Sequence, residues 1–358
     1  LNNFDITIEN DEAPHLIVTG KNGSGKTVLL GAIADFLDAM KDNTHVPSRE
    51  QVDVEFLHPE SILHDYTKGD FIMAFYRAAR NTAILEPRNP TKPSLETNGG
   101  VRETLTAQLL NFLSDLKIQE ALARNENQMQ DAEAIKKWFE NFEEILCEFF
   151  EDSDLKVVFN YKDYTFSVRT MGKSFKFTEL SDGFIAILDI VADLILKMQP
   201  KGSISEEFNK PGIVLIDEIE THLHLKLQKT ILPILTSLFP NIQFLVSTHS
   251  PFVLNSIHSA TAFDLEHRES ISNLTEYSYQ SLTEGYFDVS TASDYALNRY
   301  NELKRLLDKE ILSETERLET KQLVDDFRKI PEAVAPELVG AFQLLEIKYT
   351  DKIKALYV

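Results

Sequence analysis

Residues 15–30 constrain this chain more than any other stretch. An apolar run, His15-Leu16-Ile17-Val18-Thr19, enters Gly20-Lys21-Asn22-Gly23-Ser24-Gly25-Lys26-Thr27 and then a helix-forming segment. Gly20, Gly23 and Gly25 let the backbone curl so that successive N–H groups point inward, and a helix beginning there adds the positive end of its dipole. A triphosphate fits such a cradle. Asn22, Gly23, Ser24 and Gly25 would wrap the phosphates, Lys26 would reach the β- and γ-phosphates, and Thr27 would ligate Mg2+. The alternative is a Gly-rich turn that happens to carry Lys-Thr; strand, loop and helix in the required order favour the phosphate loop.

At 358 residues with 43% hydrophobic side chains, the chain can bury a sizeable core as one large domain or two. Its one cysteine, Cys147, cannot form an internal disulfide, and no secretory signal is visible, so the cytoplasm is the expected location. No run of about 18 apolar residues occurs, and no membrane partner is expected. The first residue is Leu, and residues 3–9 read like a strand; the native N-terminus, including one strand, is expected upstream. The net charge of −21 argues against a body that coats itself with nucleic acid, which needs clustered Lys and Arg. It leaves room for a local basic groove, or for a partner that contacts nucleic acid within a complex.

The alternation Phe4 to Ile8 predicts a strand, and residues 26–40 predict a helix burying Leu29, Leu30, Ile33, Phe36 and Leu37. Residues 71–76 read as a buried strand followed by Arg77, and residues 86–100 as a loop. Two amphipathic helices follow, the second with Ile135, Trp138, Phe139, Phe142, Ile145, Leu146 and Phe149 at helical spacing. That aromatic stripe is either core or a partner groove, and core packing is the expectation. Strands are predicted over 155–160 and 164–170, with a third near 175–177. Leu180-Ser181-Asp182-Gly183-Phe184 then opens a helix; Ser181 and Gly183 form either a second anion site or an ordinary helix cap.

Ile213-Val214-Leu215-Ile216 is a fully apolar strand ending in Asp217-Glu218. Two carboxylates at the end of a buried strand are costly unless a cation or a reaction employs them. Beside a phosphate loop, Asp217 would hold Mg2+ and Glu218 would position or deprotonate the attacking water; an acidic surface turn is the alternative. Glu220-Thr221-His222-Leu223-His224 is read as leading into a helix that reaches about residue 239, with geometry that aims the two histidines apart and argues against zinc. Residues 242–247 form another apolar strand, ending in Thr248-His249-Ser250-Pro251. His249, at the carboxyl end of a strand where open α/β folds bind ligands, could donate a hydrogen bond to a γ-phosphate; a structural histidine is the alternative. Beyond residue 260 come strands and three helices, over 290–309, 314–329 and 336–356, with a Ser313–Glu316 capping box. A faint acidic echo of TOPRIM nucleases at Glu284-Gly285 with Asp288 lacks a preceding apolar strand.

The order of residues 20–27, 180–183, 213–218 and 247–251 resembles that of ABC-type ATPases. More narrowly, Asp-Glu-Ile-Glu-Thr-His-Leu-His and Ser-Thr-His-Ser-Pro resemble the RecF-like and OLD-like (AAA_21-type) group, and within it the ATPase family of Septu and retron anti-phage systems. The resemblance implies an α/β, ABC-type P-loop NTPase head with a mainly parallel sheet, a helical insertion and a C-terminal helical extension. The expected division is 1–45 (phosphate-loop part), 46–150 (loop and helical insertion), 151–265 (signature, Walker B and switch His) and 266–358 (extension). It also implies a head-to-tail pair of protomers with ATP and Mg2+ between them: Lys26, Thr27, Asp217, Glu218 and His249 acting in cis, Ser181 and Gly183 in trans. Asp182 and Phe184 depart from the usual signature, which implies slow turnover or a structural use of ATP. The usual Mg2+-holding Gln has no match; Gln51 follows no convincing strand. The expected function is an ATPase subunit of a bacterial anti-phage complex that controls a separate, HNH-type nuclease through ATP-dependent dimerisation or higher assembly. A RecF-like DNA-repair or chromosome-maintenance ATPase that binds DNA directly is the alternative.

Overall fold

The apolar runs become a parallel sheet. The computed structural model describes residues 4–8, 14–42, 52–56, 59–79, 86, 93, 95, 100–199, 208–271, 274–287, 293–331 and 335–357. The first element is strand β1 (His15–Thr19), followed by helix α1 (Lys26–Asp42), α2 (Pro59–Lys68) and β2 (Ile72–Tyr76). The helical hairpin α3 (Leu109–Asn125) and α4 (Met129–Phe150) leads to β3 (Lys156–Asn160), β4 (Thr165–Thr170) and β5 (Lys173–Lys176), a small antiparallel sheet. Then come α5 (Asp182–Met198), β6 (Gly212–Ile216), α6 (Leu225–Leu238), β7 (Ile242–Ser247), the short α7 (Pro251–Leu254), β8 (Ala260–Asp264) and β9 (Glu269–Ile271).

The main sheet has the order β2-β6-β7-β1-β8-β9, parallel except for β9. Strands buried on both faces need no alternation, and β1, β2 and β6 are buried at every position. One face packs Leu16, Val18, Met73, Ile213 and Leu215 against Leu29, Leu30, Ala34 and Leu37 of α1. Gly212 is required where β6 passes β2, because a Cβ there would lie 2.5 Å from the carbonyl oxygen of Ile72. The parallel register brings the carboxyl ends of β1, β2, β6, β7 and β8 to one edge, where open α/β sheets bind ligands.

The α3–α4 hairpin encloses the aromatic stripe. Trp138 is fully buried, stacked on Phe142 at 5.4 Å and meeting Phe112 edge-on at 5.3 Å, so the stripe is core.

A second compact unit, Gln280–Val358, holds most of α8 (Tyr279–Phe287) and all of α9 (Asp294–Asp308), α10 (Glu314–Arg328), α11 (Pro336–Lys348) and α12 (Thr350–Ala355). Leu303, Leu307, Val324, Phe327 and Phe342 form its own core, and the Ser313–Glu316 capping box starts α10.

Some expectations fail. Residues 4–8 join no strand ladder, although Phe4, Ile6 and Ile8 still pack on the α1 face of the sheet. Residues 220–224 do lead into a helix, α6 from Leu225, and the stretch before it is a turn in which Glu218 and His222 take left-handed conformations, φ 44° and 68°, that no helix accommodates. The last helix is split at Tyr349. Helices α2 and α8 carry short, sparse apolar patterns, and α8 contains Gly285; neither was anticipated. Glu284 lies in α8, whereas Asp288 and most of 86–100 fall outside the described residues.

His15 gives the sheet a pH-sensitive point. Its Nδ1 accepts the Phe244 N–H at 3.1 Å, and burial holds its imidazole below the usual histidine range. The unfolded chain therefore binds this proton more readily, so stability is complete above the ordinary histidine value of 6.5 and falls as pH drops below it. Urea midpoints measured from pH 7.5 to 5.5 should decline less steeply for His15→Leu than for wild type; equal slopes would exclude this titration.

Candidate nucleotide-binding site

The loop between β1 and α1 has the curled backbone its glycines permit: φ is 134° at Gly20, 83° at Gly23 and 102° at Gly25. Gly20 has a second reason, since a Cβ there would meet Ser24 Oγ at 2.9 Å. Among the described residues that buried Oγ has no hydrogen-bond partner. Asn22 and Gly23 are exposed at the loop crest, whereas Lys26 is buried and folded back, donating from Nζ to the carbonyls of Gly20 at 2.7 Å and Lys21 at 3.1 Å.

Asp217 joins the loop to the neighbouring strands. Its Oδ1 accepts from Thr27 Oγ1 at 3.2 Å and from Ser247 Oγ at 2.6 Å, while its N–H donates to the Tyr76 carbonyl at 2.8 Å. Ser247 Oγ in turn accepts the Glu218 N–H at 2.8 Å. Glu218 is partly buried at the start of the left-handed turn and accepts from Thr221 Oγ1 at 3.2 Å.

The electrostatics show that these groups share one locus. Burial lowers the Lys26 ammonium from its ordinary value, opposed by Glu218, Glu220, Asp217 and Asp264. Burial lowers the His249 imidazole too, helped by the Lys26 charge and opposed by Glu218 and Asp217. Four carboxylates around one lysine make a site that would repel a polyphosphate unless a cation accompanied it. Thr27 and Asp217 offer two adjacent oxygen donors, a number that suits Mg2+, which keeps waters and substrate phosphates as its other ligands. Among the described residues no group of three His, Cys, Asp or Glu side chains could hold a metal ion by itself.

Ser181 and Gly183 stand apart from this cluster. Among the described residues no hydrogen bond links them to the phosphate loop, and Ser181, the N-cap residue of α5, makes no side-chain capping bond. Its exposed hydroxyl is therefore not used as an ordinary cap. Gly183 is buried against its own chain, where a Cβ would strike the His222 carbonyl oxygen at 2.9 Å. Phe184 stacks on Phe150 at the end of α4, ring centroids 4.3 Å apart, so the unusual residue after Gly183 anchors the helical hairpin to α5.

Sequence reading did not single out Ser247, Thr248, Glu220 or Asp264, all at or just beyond strand ends. Glu220, Ser247 and Thr248 lie within the quoted motifs but have no role assigned there, and Asp264 stands only as a polar residue closing a strand. Ser247→Ala would leave the Glu218 N–H and an Asp217 oxygen without their shared partner, and should destabilise the protein by about 1–3 kcal/mol in chemical denaturation. Unchanged stability would contradict the bridge.

Residues 95–255 match the family AAA_21, described as "AAA domain, putative AbiEii toxin, Type IV TA system", a stretch that includes Asp217, Glu218 and His249 and begins after the phosphate loop. The chain is 30% identical over 217 residues to the "Retron Vc95 probable ATPase" of Vibrio cholerae serotype O1 biovar El Tor, covering 58% of this chain and 40% of that protein. It is 27% identical over 295 residues to the "Septu protein PtuA" of Bacillus mycoides (strain KBAB4), covering 76% of this chain and 40% of that one. These matches thus span 40% of the length of either relative. Among solved structures, an SMC head bound to the C-winged helix domain of ScpA is 13% identical with a TM-score of 0.42, covering 74% of this chain and 92% of that one. Residues 95–255 thus match the AAA_21 model within an α/β fold built on a mainly parallel sheet, and the chain is similar to the ATPases of retron and Septu systems.

Proposed function

We propose that this chain is the ATP-binding and ATP-hydrolysing subunit of a bacterial anti-phage defence complex, in which ATP-dependent pairing of two copies controls a separate nuclease. The observation that carries the reading is the meeting of the phosphate loop, Asp217, Glu218 and His249 at one sheet edge, in a chain similar to retron and Septu ATPases.

ATP is the substrate. Lys26 would exchange its bonds to the Gly20 and Lys21 carbonyls for bonds to the phosphates, and Ser24 Oγ would gain the partner it lacks. Mg2+, held by Thr27 and Asp217, would neutralise phosphate charge. Glu218 orients and deprotonates the attacking water, and His249, kept neutral by burial, donates a hydrogen bond to the γ-phosphate. Ser181 and the start of α5 complete the site of a second copy. The nuclease reads the paired state.

Lys26→Ala should abolish ATP binding in calorimetry, whereas Glu218→Gln should bind ATP and hydrolyse it on the order of a hundredfold more slowly. Equal turnover by wild type and Glu218→Gln would refute the base assignment. In analytical ultracentrifugation, Glu218→Gln with Mg2+ and ATP should sediment as a dimer or larger, and co-purification with its neighbouring gene products should bring down a nuclease. A monomer under those conditions, or an assembly without a nuclease, would count against the corresponding part of the proposal.

A further inference from the structure

Glu220 is a partly buried carboxylate that none of the roles above employs. It sits in the turn after β6 and reaches across to the loop after β7. One oxygen, Oε1, accepts the backbone N–H of His249 at 2.6 Å; the other, Oε2, accepts from Thr248 Oγ1 at 2.8 Å. The grip is braced on both sides. Thr248 Oγ1 also accepts the Ser250 N–H at 3.0 Å, Ser250 Oγ donates to Gln228 at 2.7 Å, and the Ile219 N–H donates to the Ser247 carbonyl at 3.1 Å. Of these links, the bond from Glu220 is the one that holds residue 249 itself.

Burial raises the Glu220 carboxyl above its usual range, with the nearby Glu218 charge adding a smaller push in the same direction. A side chain kept there against that cost is retained for its two bonds. Their effect is directional. The backbone of His249 is fixed at a position from which its imidazole feels Lys26, Glu218 and Asp217, the charged groups that face it.

We propose that Glu220 is a positioning residue for ATP hydrolysis: it fixes the backbone of Thr248 and His249 so that the imidazole of His249 stands beside Lys26 and Glu218. The proposal rests on the ATPase reading above and adds a residue to it. Because Glu220 acts through His249, its removal changes nothing further once His249 is gone. A glutamine keeps one acceptor for the His249 N–H and an amide that Thr248 can meet by turning its hydroxyl.

The test combines two readouts on the full chain. In NMR titrations of 15N-histidine-labelled protein, with the His249 signal identified by its loss in His249→Gln, wild type and Glu220→Gln should titrate below the ordinary histidine value. Glu220→Ala should move toward that value. In steady-state kinetics Glu220→Ala should lower kcat about tenfold or more with KM within about threefold, Glu220→Gln should recover most of the loss, and Glu220→Ala/His249→Ala should be no slower than His249→Ala. An unchanged His249 titration together with an unchanged kcat in Glu220→Ala would overturn the proposal. So would the same fold-loss in the His249→Ala background. If Glu220→Ala fails to fold, Thr248→Val removes one of the two bonds at nearly constant volume and should shift both readouts in the same direction; no shift overturns the proposal. If wild type hydrolyses no ATP, the ATPase reading falls, and the His249 titration still decides whether Glu220 holds that ring.

Discussion

One carboxylate oxygen ties the site together. Asp217 Oδ1 accepts from Thr27 at the start of α1 and from Ser247 at the end of β7, so three segments distant in sequence meet on a single buried atom. A carboxylate that far from water is tolerated only with partners. The sheet supplies them by register: β6 lies between β2 and β7, and β7 lies beside β1. Ser247 extends the connection to the Glu218 backbone, and Glu220 extends it to His249. A cation bound at Thr27 and Asp217 would therefore act on a junction that already joins β6 and β7.

What could be read from residues alone follows from the length of the pattern that carried it. The mainly apolar runs at 15–19, 213–216 and 242–247 are buried on both faces except at Gln243 and form parallel strands, and the phosphate loop begins where the first of them ends. The helix after the loop and the aromatic stripe of α4 are long and strongly periodic, and both lie where their periodicity requires. The detail of the turn after β6 was not legible because nothing in Glu-Thr-His-Leu-His marks the left-handed backbone of Glu218 and His222, whose neighbours, the Ser247 hydroxyl and Gly183, are distant in sequence. Residues 4–8 alternate as a strand does, and bury the expected face, but alternation says nothing about where a hydrogen-bonding partner lies.

The departures in the signature have a packing reason. Phe184 stacks on Phe150, and Gly183 leaves room for the His222 carbonyl, so the start of α5 is shaped by the helical hairpin on one side and by the turn after β6 on the other. The same helix is anchored at its far end by Asp193, fully buried, which accepts from the Tyr76 hydroxyl at 2.5 Å and pairs with Lys197 at 2.8 Å. Tyr76 is also the residue whose carbonyl takes the Asp217 N–H. Helix α5 and strand β6 thus share a buried tether, a physical route by which a contact at Ser181 could be felt at Asp217.

The central claim is that these converging segments grip a triphosphate and its metal. Its most direct test is a crystal structure with Mg2+ and a non-hydrolysable ATP analogue. The account requires a metal ion at about 2.0–2.1 Å from the oxygens of Thr27 and Asp217, with Lys26 turned from the Gly20 carbonyl onto the phosphates. A nucleotide bound elsewhere, or bound in the loop with the metal away from Asp217, would contradict it.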